Sequence, residues 1–130
     1  MVEPAITWGS SLFYRLIHHE PVDMTVDPLV KGTARADRNP YDSNQALPTL
    51  IATKHRDRFH QLLPDLKIVE IVWFSFALYP LSGGFKSWSL IPAWLAPTLL
   101  RWERALEAAA GPVCGFRMLL TVEKRQASVA

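Results

Sequence analysis

Residues 66–85 read Leu-Lys-Ile-Val-Glu-Ile-Val-Trp-Phe-Ser-Phe-Ala-Leu-Tyr-Pro-Leu-Ser-Gly-Gly-Phe. The first part alternates, with Leu66, Ile68 and Glu70 on one side and Lys67, Val69 and Ile71 on the other. From Val72 to Leu78 only Ser75 interrupts an apolar run rich in aromatic and β-branched residues. That pattern predicts a strand buried on both faces between layers. Pro80 marks a strand end or a bulge. Ser82-Gly83-Gly84 closes the stretch as a turn. The expectation is one long strand running toward that turn, in an α/β domain whose other elements cover it or pair with it.

Downstream, Leu95, Leu99, Trp102, Leu106 and Ala109 recur at steps of four and three. They predict a helix from about Ile91 to Ala110, with this stripe toward the core and Arg101, Glu103, Arg104 and Glu107 toward water. Pro92 would sit in its first turn, Pro97 would bend it, and Gly111-Pro112 would stop it. Val113 to Glu123 alternates again (Phe116, Met118, Leu120 and Val122 against Arg117, Leu119 and Thr121) and predicts a second strand. Residues 126–130 read as a frayed tail, which leaves a single domain over residues 1–125.

Upstream, Phe59, Leu62 and Leu63 oppose Arg56, Asp57 and Arg58, and predict a helix from about Lys54 to Leu63, ended by Pro64. Leu47–Ala52 reads equally as a short helix or a short strand, since Pro48 interrupts it. Residues 24–43 carry no clear period and read as a long loop, of the kind that is functional or mobile in compact domains. Leu12, Phe13, Leu16 and Ile17 predict a helix over Ser10–His18, capped by Ser10 or Ser11. Val2-Glu3-Pro4 reads as a strand end that needs a partner, as though the chain started inside a domain.

Composition bounds the function. The 130 residues are 49% hydrophobic, which suits one globular domain and not a disordered chain. Net charge is +2 and the basic residues do not cluster, which speaks against nucleic acid. Residues 66–130 carry seven Lys/Arg against four Asp/Glu, a weak pointer to an anionic partner. Cys114 is the single cysteine, so no internal disulfide forms and a reducing, cytoplasmic location fits. It reads as a small buried side chain, since no histidine or cation adjoins it to activate the thiol. No signal-peptide pattern opens the chain. The uncharged runs 71–85 and 87–100 fall short of the about 20 residues a spanning helix needs. Prolines and glycines also break both runs. They read as core segments, with contact at a membrane surface as the alternative.

The order of elements and several short stretches resemble the C-terminal portion of a class I, Rossmann-like S-adenosylmethionine-dependent methyltransferase. The stretches are Val2-Glu3-Pro4, His18–Asp23, Asp42–Pro48, Arg56–Phe59, Tyr79–Phe85 and Leu120–Arg125. They look like a bacterial subgroup of the type 11 kind. The resemblance implies a long strand, a helix and a final antiparallel strand that inserts between its two predecessors, preceded by helices. It implies a transferase that moves a methyl group to a small acceptor such as a sugar hydroxyl. The family's glycine-rich loop and ribose-binding acid are missing from these residues. The expectation is therefore the substrate-side fragment, which alone neither binds S-adenosylmethionine tightly nor turns over.

Candidate substrate-binding residues are His18, His19, Glu20, Asn44 and Tyr79. His19 or Glu20 would be a general base, or the histidines cap a helix end. Asn44 orients a substrate or caps a helix. Tyr79 lines a pocket or packs. Trp88 and Trp94 would form an apolar lip for a lipid-linked or aromatic substrate, or belong to the core. His55 and His60 are five apart and lack the ligand spacing of a helical metal site. The alternative function is a non-catalytic module. It would complement a separate N-terminal half, associate with itself through an uncovered sheet edge, or rest on a membrane.

Overall fold

The computed structural model describes residues 1–17, 21–30, 44–83 and 87–125. Most of the expected loop, residues 31–43, lies outside them. The elements in chain order are β1 (Val2–Pro4), α1 (Trp8–Leu16), α2 (Leu47–Ala52), α3 (Arg56–Leu62), β2 (Leu66–Phe74), α4 (Leu78–Leu81), α5 (Ala96–Cys114) and β3 (Arg117–Lys124). The protein is a mixed α/β structure.

The strand order is β1-β3-β2, and β3 runs antiparallel to both neighbours. β1 and β2 are therefore parallel to each other, with the last strand of the chain between them. Val2, Leu119 and Val72 form one cross-strand row, and Glu3, Met118 and Trp73 the next. An irregularity between Ile68 and Glu70 shifts the register there, where a β-bulge adds a residue to one strand.

One face of the sheet carries the core. Ala5, Ile68, Met118 and Leu120 are buried with Ala52, and Ile51 of α2 and Phe59 of α3 pack against them. A second cluster of Ile6, Tyr14, Ala46, Leu50 and Phe116 lies where the ends of β1 and β3 meet α1 and α2. The shared start of both clusters is the Ala5-Ile6 step that leaves β1.

Local chemistry explains the element ends. The Oγ of Thr7 accepts from the Ser10 N–H at 3.3 Å, and the Ser10 Oγ accepts from the Thr7 N–H at 2.8 Å. This reciprocal cap starts α1 at Trp8, earlier than the Ser10 start the apolar spacing suggested. α2 has the predicted bounds, and Pro48 in its first turn selects helix over strand. α3 starts at Arg56 and stops at Leu62, two residues inside and one short of the expected span.

β2 is not buried on both faces, since Val69 and Val72 are exposed, and two further expectations fail. The long strand ends at Phe74, not at the glycine turn, because Ser75 adopts φ 62° and breaks the extended backbone. After it, Leu78–Leu81 forms one helical turn that includes Pro80. Ser75 is an L-residue in the left-handed region, which costs about 1–2 kcal/mol. Ser75→Val, with a branched β-carbon, is expected to lower stability by about 2 kcal/mol, and Ser75→Gly to raise it slightly. Urea denaturation of both variants checks this pair.

The second failure is α5. It starts at Ala96, so Pro97 occupies its first turn and does not bend it. It runs through Gly111-Pro112 to Cys114, and β3 begins correspondingly late at Arg117. Arg101 and Arg104 face water as expected, and Leu95 and Leu99 are half-buried, but the middle of the helix is turned from the expected orientation. Glu103 is 5% exposed, whereas Trp102 and Leu106 are 66% and 52% exposed.

The reason lies at the end of β2. Where the chain leaves the sheet, its N–H groups need acceptors. Glu103 Oε1 accepts from Ala77 N at 2.6 Å and from Leu78 N at 3.1 Å. Glu107 Oε1 accepts from Ser75 N at 3.4 Å. Two acids spaced four apart on α5 thus satisfy the backbone beyond β2, and with them turned inward Trp102 and Leu106 face outward.

Gly111 lets the helix approach. A β-carbon there would lie 2.1 Å from the Trp73 carbonyl oxygen. α5 therefore lies against the β2 backbone itself. Farther along, α1 and α5 meet where Gly9 adjoins Cys114, whose backbone and sulfur would stand 3.1 Å from an added β-carbon.

Candidate functional site

In open sheets with parallel strands, ligands bind beyond the carboxyl ends of those strands. Here β1 and β2 end side by side at Pro4 and Phe74, with Arg117 of β3 between them in the same row. Arg117 is half-buried. Its guanidinium lies 4.8 Å above the centre of the Tyr79 ring, and its Nη2 donates to the Tyr79 hydroxyl at 3.2 Å. Contact through both face and hydroxyl fixes a cation and a phenol at this end of the sheet.

Tyr79 reaches that place because Ser75 turns the chain and Glu103 holds the start of α4. Behind it stands Phe116, with ring centres 5.8 Å apart. Phe13 meets Phe116 edge-on at 5.1 Å, and Tyr14 lies 6.1 Å from it. The aromatic floor belongs to the second core cluster. Beside it, the Thr7 Oγ donates to the Gly115 carbonyl at 3.1 Å, and the Ser10 Oγ to the Ala5 carbonyl at 2.8 Å. These hydroxyls serve the fold.

Asn44 lies on the loop that faces this floor through Val22 and Val26. It is buried, and its amide is engaged with main chain. Oδ1 accepts from Asp23 N at 2.9 Å and Ala46 N at 3.1 Å, and Nδ2 donates to the Asp23 carbonyl at 2.7 Å. It ties residues 21–23 to the residues before α2, whose N-cap is Ala46 and receives no side-chain cap from Asn44. Of the other residues proposed from sequence, Tyr79 stands at the strand ends, and His18, His19 and Glu20 lie outside the described residues. Arg117 was not singled out from the sequence. No sequence signal marked it, because its row with Pro4 and Phe74 is formed only in the sheet.

A separate polar group joins residues 21–30 to α3. Asp27 accepts from Leu29 N at 2.9 Å, pairs with Arg58 and lies 3.7 Å from His55 Nδ1. The Leu29 N–H first, and then the charges of Arg58 and His55, hold the Asp27 carboxyl below the ordinary carboxylate range. His55 Nε2 is buried and has no hydrogen-bond partner among the described residues. His60 accepts from Ile68 N at 3.1 Å, so it braces α3 against β2. Among the described residues no three His, Cys, Asp or Glu side chains stand together as a metal-ion site.

The described glycines do not form an open loop of the kind expected around S-adenosylmethionine. The family's cofactor loop uses glycines to bring backbone close to the ligand. Among the described residues, all four glycines are pressed against protein instead. Gly9 meets Cys114, Gly83 (φ 79°) the Trp88 carbonyl, Gly111 the Trp73 carbonyl, and Gly115 the Phe74 backbone.

No family model, no curated protein and no solved structure shows significant similarity to this chain.

Proposed function

We propose that these residues form the substrate-side, carboxyl-terminal part of a class I, Rossmann-like methyltransferase domain, inactive without a glycine-rich cofactor-binding half. One observation carries the reading. The last strand lies antiparallel between two parallel predecessors, in the order β1-β3-β2. That is the arrangement which the resembled family places at the carboxyl end of its sheet. Arg117 and Tyr79, at the mouth formed by the strand ends, would then face the acceptor. The fragment contributes position: a fixed cation and phenol orient a small hydroxyl-bearing acceptor, and the methyl donor is held elsewhere.

The state of the sheet supports the same reading. Ten apolar residues are buried among the described residues, while twenty large ones are exposed. Val2 and Val72 of the central row are among the exposed. Beside that row a cleft of about 470 Å³ opens between the second face of the sheet and α5. A neighbouring polypeptide would cover that face. The β1 edge alone offers less. Met1 bonds to Leu120 of β3 and Ala5 to Phe116 just before it, so Val2 and Pro4 turn outward, and Pro4 has no N–H. Pairing of two copies through this short edge is correspondingly disfavoured.

The test is methyl transfer from labelled S-adenosylmethionine to sugar acceptors. The 130-residue chain alone is expected to give no turnover. Mixing it with a separately produced glycine-rich βαβ half is expected to give turnover that Arg117→Ala and Tyr79→Phe reduce about tenfold or more. Turnover by the chain alone overturns the proposal.

A further inference from the structure

The described sheet has two outer edges, β1 and β2, and the longer of them is occupied by side chains. In an antiparallel ladder the N–H and carbonyl of one residue point the same way, alternately toward the partner strand and away from it. Both main-chain groups of Ile68 are met by α3. Its N–H donates to His60 Nε2 at 3.1 Å, and its carbonyl accepts from Arg56 Nη2 at 2.9 Å. Arg56 and His60 stand four apart, one turn of α3. The helix thus offers β2 a donor and an acceptor where a further strand would. Near its other end β2 is covered by α5, since Gly111 lies against the Trp73 carbonyl.

β2 needs such cover. Its sequence, Leu-Lys-Ile-Val-Glu-Ile-Val-Trp-Phe, is long, β-branched and aromatic, with no proline or glycine. A bare edge strand of that composition pairs with another chain. A second copy matches it in charge. The irregularity at Val69 puts Lys67 and Glu70 on one face of the sheet, opposite Glu123 and Thr121. Two β2 strands run antiparallel about their middle would set Lys67 of each copy against Glu70 of the other.

The cover is lightly held. α3 has seven residues, none of them buried, and no described side chain caps its start. Phe59 packs against the first core cluster, and Arg58 pairs with Asp27 at the surface. An exposed pair of this kind contributes little. Short elements with few buried contacts open at lower cost than the whole fold.

We propose that α3 is a displaceable guard of the β2 edge, and that the partner it excludes is the β2 edge of a second copy of this chain. With Arg56 and His60 in place the edge is closed. When α3 swings away, Ile68 presents one donor and one acceptor, and the two strands pair antiparallel. The inference does not depend on the methyltransferase reading.

Sedimentation velocity of the full chain over a concentration series tests it, with the double variant Arg56→Ala, His60→Ala. Alanine keeps the helix propensity of α3 and removes the bonds to Ile68. The double variant is expected to associate at a concentration about tenfold or more below that of the wild type. Adding Val69→Lys, at the exposed irregularity, is expected to restore the wild-type behaviour, because an edge lysine opposes strand pairing. Ser75→Val lowers stability without touching α3 and is expected to sediment like the wild type, which separates loss of the guard from general unfolding. Association of the double variant only at the wild-type concentration overturns the proposal. So does association that Val69→Lys fails to suppress, or that Ser75→Val reproduces.

Discussion

Gly111→Ala is expected to destabilise this protein by about 3 kcal/mol. An alanine β-carbon would stand 2.1 Å from the Trp73 carbonyl oxygen and 2.9 Å from its carbon. Both are backbone atoms, held by the pairing of β2 with β3, and neither can rotate away. The helix must retreat from the strand. In retreating it withdraws Glu103 and Glu107 from the N–H groups they satisfy. Overpacking of this kind costs about 3 kcal/mol when no side chain can yield. For a chain of this length that corresponds to a fall in Tm of about 10 °C. Ala105→Ser, exposed on the same helix, is expected to stay within about 0.5 kcal/mol. Thermal and urea denaturation of the two variants separate a tight helix–strand seat from a loose one.

Glu103→Ala carries the second large effect, expected at about 2 kcal/mol. Its carboxylate is nine-tenths buried and accepts from two consecutive main-chain donors, Ala77 and Leu78. Truncation leaves both N–H groups without their acceptor where α4 begins, and the lost partner is charged. Glu103→Gln keeps an oxygen in place and is expected to recover at least half of the loss. Because α4 holds Tyr79 against Arg117, the alanine variant should also disorder that pair. Fluorescence quenching of the tyrosine and tryptophan residues gives a readout besides stability.

These two residues also show where sequence reading stops. The stripe from Leu95 to Ala109 is regular, and regular apolar spacing normally marks the buried side of a helix. Periodicity reports that a helix has two faces. It does not report which one has a strand end to satisfy. Glu103 and Glu107 look like solvated acids until the irregular exit from β2 is seen to require acceptors. That exit was hidden as well, because Phe76, Ala77 and Leu78 continue the apolar run without a break and only Ser75 departs from it. A left-handed serine leaves no mark in composition. What was legible followed from strong local signals: the alternation of β3, the apolar body of β2, the helix that carries Phe59, and the short β1 before α1. The place of β3 between β1 and β2 came from resemblance and not from any local pattern, since strand order is a long-range property.

The candidate site divides the same way. Tyr79 was visible as an aromatic residue beside a turn. Arg117 was not, because an arginine at the start of an alternating strand reads as a solvent-facing residue. Its meaning depends on Pro4 and Phe74 standing on either side of it in the sheet. Asn44 shows the converse. Its residue type suited a substrate contact, but its amide is occupied by the backbone of Asp23 and Ala46.

The central claim is that this chain is the acceptor side of a methyltransferase sheet without the means to hold the methyl donor. Isothermal titration of S-adenosylmethionine into the purified chain addresses it most directly. No saturable heat is expected, because among the described residues Gly9, Gly83, Gly111 and Gly115 pack against Cys114, Trp88, Trp73 and Phe74 and form no open loop. Saturable binding in the micromolar range would contradict it, and would mean that the strand ends around Arg117 and Tyr79 build a cofactor site of their own.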